Sequence, residues 1–521
     1  MSVVAIGARL RLEAVVRNAV ALMTSTVASA ALGMLFWIVA ARVYDTHEVG
    51  RASATISAIA LVAGLSSLSL YSFVVRFLPE AGAATGRMLG FIYGLTGAVS
   101  VILGVGFCLL GFGNGFLSRS PESLVLFCTA VICIAYAAIQ DSVLTALRRA
   151  SWLPAVNISV NLAKVLLLPV AFGGVMISPM VIAWNVPVAV AVLVVSTLIF
   201  TKLGPARVRA SRHREHVPTG REAASFMSGT ILNGVVTTFT LYAPPIMVSA
   251  VLGAEHTAYF YVPWLIITVA LSSSWNVAVS LIVEAASEPA RMRRHLRQGI
   301  KLLLAVNVGG GMVLLLGAPF IMAVLGAEYV DGGAAVLRWC GLAFAVQAVK
   351  TMYNVIAILE NQVWRNLTVD AVRAALFLVG AYIGLHAFGV VGAAIAYFAS
   401  GAIVASAVVP ATIRGLRRLV SRADAAVTEE RRPDEKARVV AAVPQVYVNA
   451  TTNQVEVMLL PESVIDWDRL GQFDTVMIDR VDDGQPRLLD DRTIPLRRFS
   501  PDSADVPTAI MRRAAPDERD Q

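Results

Sequence analysis

Long apolar runs recur between residues 18 and 413 of this 521-residue chain, and they constrain its fold more than any other feature. About 20 apolar residues suffice for one helical crossing of a bilayer. Backbone groups must be paired within lipid, so such runs fold as helices. The chain is 57% hydrophobic and 15% charged, whereas soluble domains are roughly half apolar and a quarter charged. The sequence predicts an all-α polytopic membrane protein and excludes an ordinary soluble one.

We predict twelve transmembrane helices in two sets of six, separated by a basic cytoplasmic linker at 202–222. Residues 1–201 then form an N-terminal lobe and residues 223–413 a C-terminal lobe. Because each set has an even number of spans, the lobes are parallel repeats, here predicted to surround a central cavity. The predicted spans are 18–41, 53–75, 88–111, 123–147, 152–173, 179–201, 223–251, 258–284, 299–325, 334–359, 364–386 and 388–413.

The basic residues predict the orientation of the chain. Segments on one side of the predicted spans, counted with the first turn of the span that follows each, carry 23 Lys and Arg, whereas the opposite side carries only Arg42, Arg51 and Arg119. Since Lys and Arg concentrate in cytoplasmic loops, both termini are predicted to be cytoplasmic. The pI of about 9.5 therefore reflects loops that flank a membrane and indicates no nucleic-acid partner.

The cytoplasmic tail, residues 414–521, differs in composition from the rest of the chain. It begins with an arginine cluster suited to anionic membrane lipids, and from residue 423 onward it holds 13 basic and 20 acidic residues. Short alternating segments predict a small β-rich module at 440–499. The tail either docks a cytoplasmic partner enzyme or is a poorly ordered extension.

Two polar stripes repeat in the predicted fifth spans of the two lobes. Each has spacings of four and three residues, which place its members on one helix face, and the second follows the first by 209 residues. The stripes are Asn157, Asn161, Lys164 and Asn366, Asp370, Arg373. Further polar residues that we predict to line the cavity are Asp141, Asn276, Gln347 and Asn354, which shares a helix face with Lys350.

Charged groups inside a membrane are costly and normally face a bundle interior or an aqueous cavity. One interpretation is that Lys164, Lys350 and Arg373 bind an anionic head group, since buried cations attract phosphate strongly. The alternative is structural pairing, in which Asp370 neutralises Arg373 and Asp141 neutralises Lys350 or Lys164. The spacing alone leaves both open.

The prolines, the cysteines and the lack of enzyme motifs complete the sequence analysis. Pro244 and Pro245 should bend the seventh span, either as part of a gate or as a static kink. The four cysteines form no metal-ligand pattern, and no nucleotide-binding or hydrolase motif is present, so we predict a transporter without metal or cofactor rather than an enzyme.

Four segments carry a family resemblance. They are Ala41-Arg-Val-Tyr-Asp-Thr-His-Glu-Val-Gly-Arg-Ala, Arg76-Phe-Leu-Pro-Glu, Leu325-Gly-Ala-Glu-Tyr and Phe388-Gly-Val-Val-Gly-Ala-Ala-Ile-Ala. In this order they resemble the polysaccharide-transporter, or oligosaccharide flippase, branch of the multidrug/oligosaccharidyl-lipid/polysaccharide (MOP) exporter superfamily. The resemblance implies alternating access in a bacterial cytoplasmic membrane. The expected substrate is a polyprenyl-diphosphate-linked glycan for the cell envelope.

Three alternatives remain at this point. Drug or cation antiporters of the same superfamily typically use a carboxylate in the N-terminal lobe; the first span here has none, although Asp141 could substitute. Peptidoglycan-precursor flippases usually have two further spans. A non-transporting scaffold of an envelope-synthesis complex would use the acidic tail as its docking segment.

Overall fold

A computed structural model describes residues 28–67, 70–113, 117, 120–147, 149–169, 178–210, 220–287, 292–360 and 362–430, and short strands between 442 and 489. The first part of the predicted first span and residues 211–219 of the predicted linker lie outside the described residues.

Fourteen helices make up the described chain up to Glu430. Nine helical segments in this part are long and apolar enough to cross a membrane, and α1 and α6 are shorter apolar helices. Within the described residues the predicted spans lie mostly on helix, but the span predicted at 53–75 is divided between the helices Thr46–Ser66 and Leu70–Phe77. The all-α polytopic class is confirmed. The helices are α1 (Ala28–Val43), α2 (Thr46–Ser66), α3 (Leu70–Phe77), α4 (Thr85–Leu109), α5 (Pro121–Ala146), α6 (Leu153–Leu167), α7 (Pro179–Leu198), α8 (Gly204–Ala210), α9 (Gly220–Leu252), α10 (Ala254–Ser287), α11 (Met292–Leu304), α12 (Gly310–Ala323), α13 (Ala327–Leu359) and α14 (Val363–Glu430). Short 3-10 turns at Leu78–Glu80, Gly82–Ala84 and Ala150–Trp152 and π turns at Ile199–Leu203 and Ala305–Gly309 connect some of them.

The start of α2 is set by a side-chain cap. Asp45 has extended backbone, and its Oδ1 accepts the backbone N–H of Glu48 at 2.7 Å. Such a cap satisfies one of the unpaired donors at a helix start. The helix therefore begins at Thr46, earlier than the predicted 53, with Asp45 as its N-cap.

The last helix contains a break. Gly389 has φ 61° and ψ −146°, a backbone conformation outside the helical region, in the middle of α14. Residues with a Cβ rarely adopt positive φ, so glycine allows the chain to turn here. The predicted boundary between the eleventh and twelfth spans, at 386–388, falls beside this break.

We call α1–α8 the N-terminal half and α9–α14 the C-terminal half. Helix α2 packs against α9 and α10, and a Cβ on Gly50 would overlap the carbonyl oxygen of Ala254. Arg42 Nη2 donates to the carbonyl oxygen of Val324 at 2.7 Å. The halves thus touch backbone to backbone where α2 and α10 begin, an end of the bundle that we call the Arg42 end.

The proline pair in α9 does not interrupt the helix. Pro245 lacks the N–H that would bond to the carbonyl of Leu241. Trp264 of α10 supplies the missing donor, with its Nε1 2.8 Å from the Leu241 oxygen. Because a neighbouring helix satisfies the freed carbonyl, this arrangement favours the static kink; the gating role of Pro244 and Pro245 stays a prediction.

Most of the tail belongs to a separate unit. Its strands are β1 (Ala442–Asn449), β2 (Gln454–Pro461), β3 (Met477–Ile478) and β4 (Leu488–Leu489). β1 pairs with β2, and β3 pairs antiparallel with β4 in the register Met477 to Leu489. Much of the predicted module at 440–499 lies outside the described residues, so its existence as a folded module stays a prediction.

Candidate anion-binding site

The ammonium group of Lys350 is surrounded by side-chain oxygen atoms from α13 and α14. Its side chain is 3% exposed, and its Nζ is 2.7 Å from Asp370 Oδ1. Nζ also donates to Oδ1 of Asn354 and, at 3.4 Å, to Oδ1 of Asn366. A buried cation in such a site is neutralised by its carboxylate and solvated by the two amides. In this conformation Lys350 is therefore a paired structural cation.

This pairing differs from the pairs considered from sequence. The sequence suggests Asp370 as the partner of Arg373, three residues away, but the Asp370 carboxylate bonds to Lys350. It also suggests Asp141 as a partner of Lys350 or Lys164, yet among the described residues the Asp141 carboxylate forms no ion pair. Sequence spacing shows which side chains are neighbours on one helix. It does not show contacts between helices, and Lys350 lies on α13 whereas Asp370 lies on α14.

Lys164 has a different environment. It lies near the end of α6 and is 7% exposed, and its Nζ is 3.7 Å from the ring centroid of Trp184 on α7. Within the described residues its ammonium has neither an ion pair nor a hydrogen bond. Lys164 thus has no counterion among the described residues.

Arg373 repeats this arrangement in the C-terminal half. It is partly buried, and its Cζ lies 5.2 Å from the ring centroid of Tyr397, beyond the Gly389 break. No carboxylate among the described residues pairs with its guanidinium. Lys164 and Arg373, 209 residues apart in the sequence, are therefore both buried or partly buried cations that face an aromatic ring.

The other predicted cavity residues are less defined. Asn157 and Asn276 are exposed, and Asn161 and Gln347 are partly buried. Their side chains form no hydrogen bond with the described residues, which leaves them free to contact a solute. Of the predicted set, the structure joins only Asn354, Asn366, Asp370 and Lys350 in one cluster.

Aromatic residues were missed from sequence. Trp184 and Tyr397 contact the two cations, and Trp264 packs its ring 5.1 Å from that of Tyr397. The available signal was an aromatic residue in the span that follows each polar stripe. That signal is weak, since aromatic residues in apolar helices ordinarily serve packing.

Solved structures with the same helix arrangement identify the fold. The lipid II flippase MurJ in an inward closed conformation matches with a TM-score of 0.57 and 14% identity, over 80% of this chain and 93% of that one. A multidrug resistance MATE family transporter of the MOP superfamily, in an inward-facing conformation, matches with a TM-score of 0.55 and 14% identity, over 77% of this chain and 95% of that one. A MOP superfamily transporter from Pyrococcus furiosus matches with a TM-score of 0.51 and 14% identity, over 79% of this chain and 96% of that one.

The chain has the MOP-superfamily fold. The sequence matches no family model and no curated protein, so the likeness is one of structure. The shared fold agrees with the superfamily that the sequence resembles, and the polysaccharide branch stays a prediction. Lys164 and Arg373 lie on corresponding predicted spans of the two halves of this fold.

Proposed function

We propose that the chain is a flippase that moves a polyprenyl-diphosphate-linked oligosaccharide or polysaccharide precursor across the cytoplasmic membrane. One observation carries the proposal: Lys164 and Arg373 are basic side chains inside a MOP fold, and neither is paired with a described carboxylate. A charge within a membrane costs several kcal/mol and is retained chiefly for function. A diphosphate is the anionic group that two such cations bind well, Arg in bidentate fashion.

In this mechanism the diphosphate rests between Lys164 and Arg373. The sugar contacts amide side chains such as those of Asn157, Asn161 and Asn276, while the lipid chain stays in the bilayer through a lateral opening between the lobes. Rocking of the lobes about the site gives alternating access. Both termini face the cytoplasm, where the tail docks an enzyme of glycan synthesis.

Lys350 takes a structural role in this proposal. Its charge is already neutralised by Asp370, so an incoming phosphate would have to displace a buried carboxylate. Breaking such a pair leaves an uncompensated charge and is strongly unfavourable. We therefore assign the head group to Lys164 and Arg373 alone.

A small-molecule or cation antiporter is the second candidate. It is supported by Asp141, whose carboxylate has no ion pair among the described residues, and by the likeness to a multidrug transporter. Against it, α1 contains no Asp or Glu. The anionic-lipid proposal is preferred because the two unneutralised cations outnumber the single carboxylate.

Native mass spectrometry of the purified chain tests the proposal. Wild-type protein in mild detergent is expected to retain a polyprenyl phosphate or diphosphate species, and Lys164→Ala with Arg373→Ala is expected to lose it. The matched control, Lys202→Ala with Arg365→Ala, removes the same charge from exposed positions and should leave the lipid bound.

Two results would contradict this expectation. A folded double variant that retains the lipid undiminished would place the head group elsewhere. Wild-type protein with no such lipid would favour the antiporter or a non-transporting scaffold.

A further inference from the structure

Both unneutralised cations are held by aromatic rings that are themselves fixed. Trp184 packs against Phe36 and Trp37, with ring centroids 5.1 and 5.9 Å apart. Tyr397 is 3% exposed and packs against Phe377 at 5.0 Å. Neither ring can therefore swing away from its cation without disturbing a packed cluster.

An aromatic ring acts on a cation differently from a carboxylate. The face of the ring is negative through its quadrupole and attracts an ammonium or guanidinium, but it carries no net charge. Lys350 shows the contrast within this chain, since it is bonded to the carboxylate of Asp370. A ring holds a cation in place and leaves its charge available; a carboxylate cancels it.

The ring also covers only one side of the cation. Trp184 lies 3.7 Å from Lys164 Nζ, at van der Waals contact, so an anion can approach only from the other sides. The flexible four-carbon stem of a lysine would otherwise sample many positions. Fixing the ammonium in advance reduces the ordering that binding requires.

We propose that Trp184 and Tyr397 are positioning residues of the anion site, holding the Lys164 ammonium and the Arg373 guanidinium for a diphosphate without neutralising them. This inference rests on the proposed function. Each half of the fold supplies one cation and one ring, on consecutive predicted spans.

Binding measurements on the full chain in detergent test this inference with two probes, a polyprenyl diphosphate and the uncharged polyprenol of the same length. Trp184→Leu is expected to weaken diphosphate binding about tenfold, equivalent to about 1.4 kcal/mol, and to leave polyprenol binding unchanged. Tyr397→Leu should behave likewise. Trp184→Phe and Tyr397→Phe keep an aromatic face and should restore affinity to within about threefold of wild type.

A double-mutant cycle separates positioning from general structural damage. If Trp184 acts through Lys164, Trp184→Leu will have no further effect on diphosphate binding once Lys164→Met has removed the charge. Trp339→Leu is the matched control, because Trp339 packs on Phe398 and faces no cation among the described residues. It should leave the affinity for both probes unchanged.

The outcomes distinguish this inference from the function it rests on. Wild-type protein that binds the diphosphate no better than the polyprenol would overturn both. Wild-type preference for the diphosphate that survives Trp184→Leu and Tyr397→Leu would overturn the positioning role alone. So would an equal loss from Trp184→Leu in the Lys164→Met background.

Discussion

Asp370→Ala is expected to lower the free energy of unfolding by about 3–5 kcal/mol, because it leaves the ammonium of Lys350 buried without its counterion. The Lys350 side chain is 3% exposed and bonds to Asp370 Oδ1 at 2.7 Å. Asn354 and Asn366 would remain as acceptors, but amides do not cancel a charge. Reversible unfolding in mixed micelles measures the change.

Two further variants make this prediction specific. Asp331→Ala removes an exposed carboxylate from α13 and is expected to stay within about 0.5 kcal/mol of wild type. Lys350→Met combined with Asp370→Leu removes both charges, and should recover most of the lost stability since an apolar pair can replace a buried ion pair. A cost below about 1 kcal/mol for Asp370→Ala would show that the pair is solvated and not structural.

Gly50→Val is expected to disfavour the observed packing of the two halves at the Arg42 end. A Cβ at this position would overlap the carbonyl oxygen of Ala254, which is backbone and cannot rotate away. Overpacking of this kind costs about 1–3 kcal/mol or more. The population in which α2 and α10 touch should therefore fall by about 5- to 150-fold, and any transport that requires this contact should fall with it.

Spin-label distances between Val43→Cys and Glu328→Cys report on this end, in a chain whose native cysteines are replaced. Both positions are exposed and lie in different halves near the Arg42–Val324 hydrogen bond. Gly50→Val should lengthen the distance, whereas Gly90→Val, which has open space around it, should not. An unchanged distance in Gly50→Val would mean that the close approach does not hold the halves together.

The sequence predicted the helices well because apolar length is a local property. A predicted helix boundary was wrong where a segment containing polar residues is buried against a neighbouring helix, because apolar composition does not reveal such burial. The second span was predicted to begin at residue 53, yet Val49, Gly50 and Ala52 are buried in α2. The predicted boundary between the last two spans, at 386–388, lies within a few residues of the Gly389 break.

For the candidate site, the sequence predicted which polar and charged residues take part but not how they pair. The polar stripes place charged residues on α6 and α14, but which groups pair depends on contacts between helices. Asp370 and Lys350 lie on separate helices, and the rings that face Lys164 and Arg373 come from the following spans. Likewise, the proline pair predicted a bend in the seventh span, whereas the donor to the Leu241 carbonyl, Trp264, depends on tertiary packing.

Lipid translocation in proteoliposomes tests the central claim most directly. A labelled polyprenyl-diphosphate-linked sugar is placed in one leaflet, and its appearance in the other is followed for wild type and for Lys164→Ala with Arg373→Ala. We expect wild-type protein to move the lipid faster than protein-free liposomes and the double variant to match the protein-free rate. Wild-type protein at the protein-free rate, or a double variant as fast as wild type, would contradict the account.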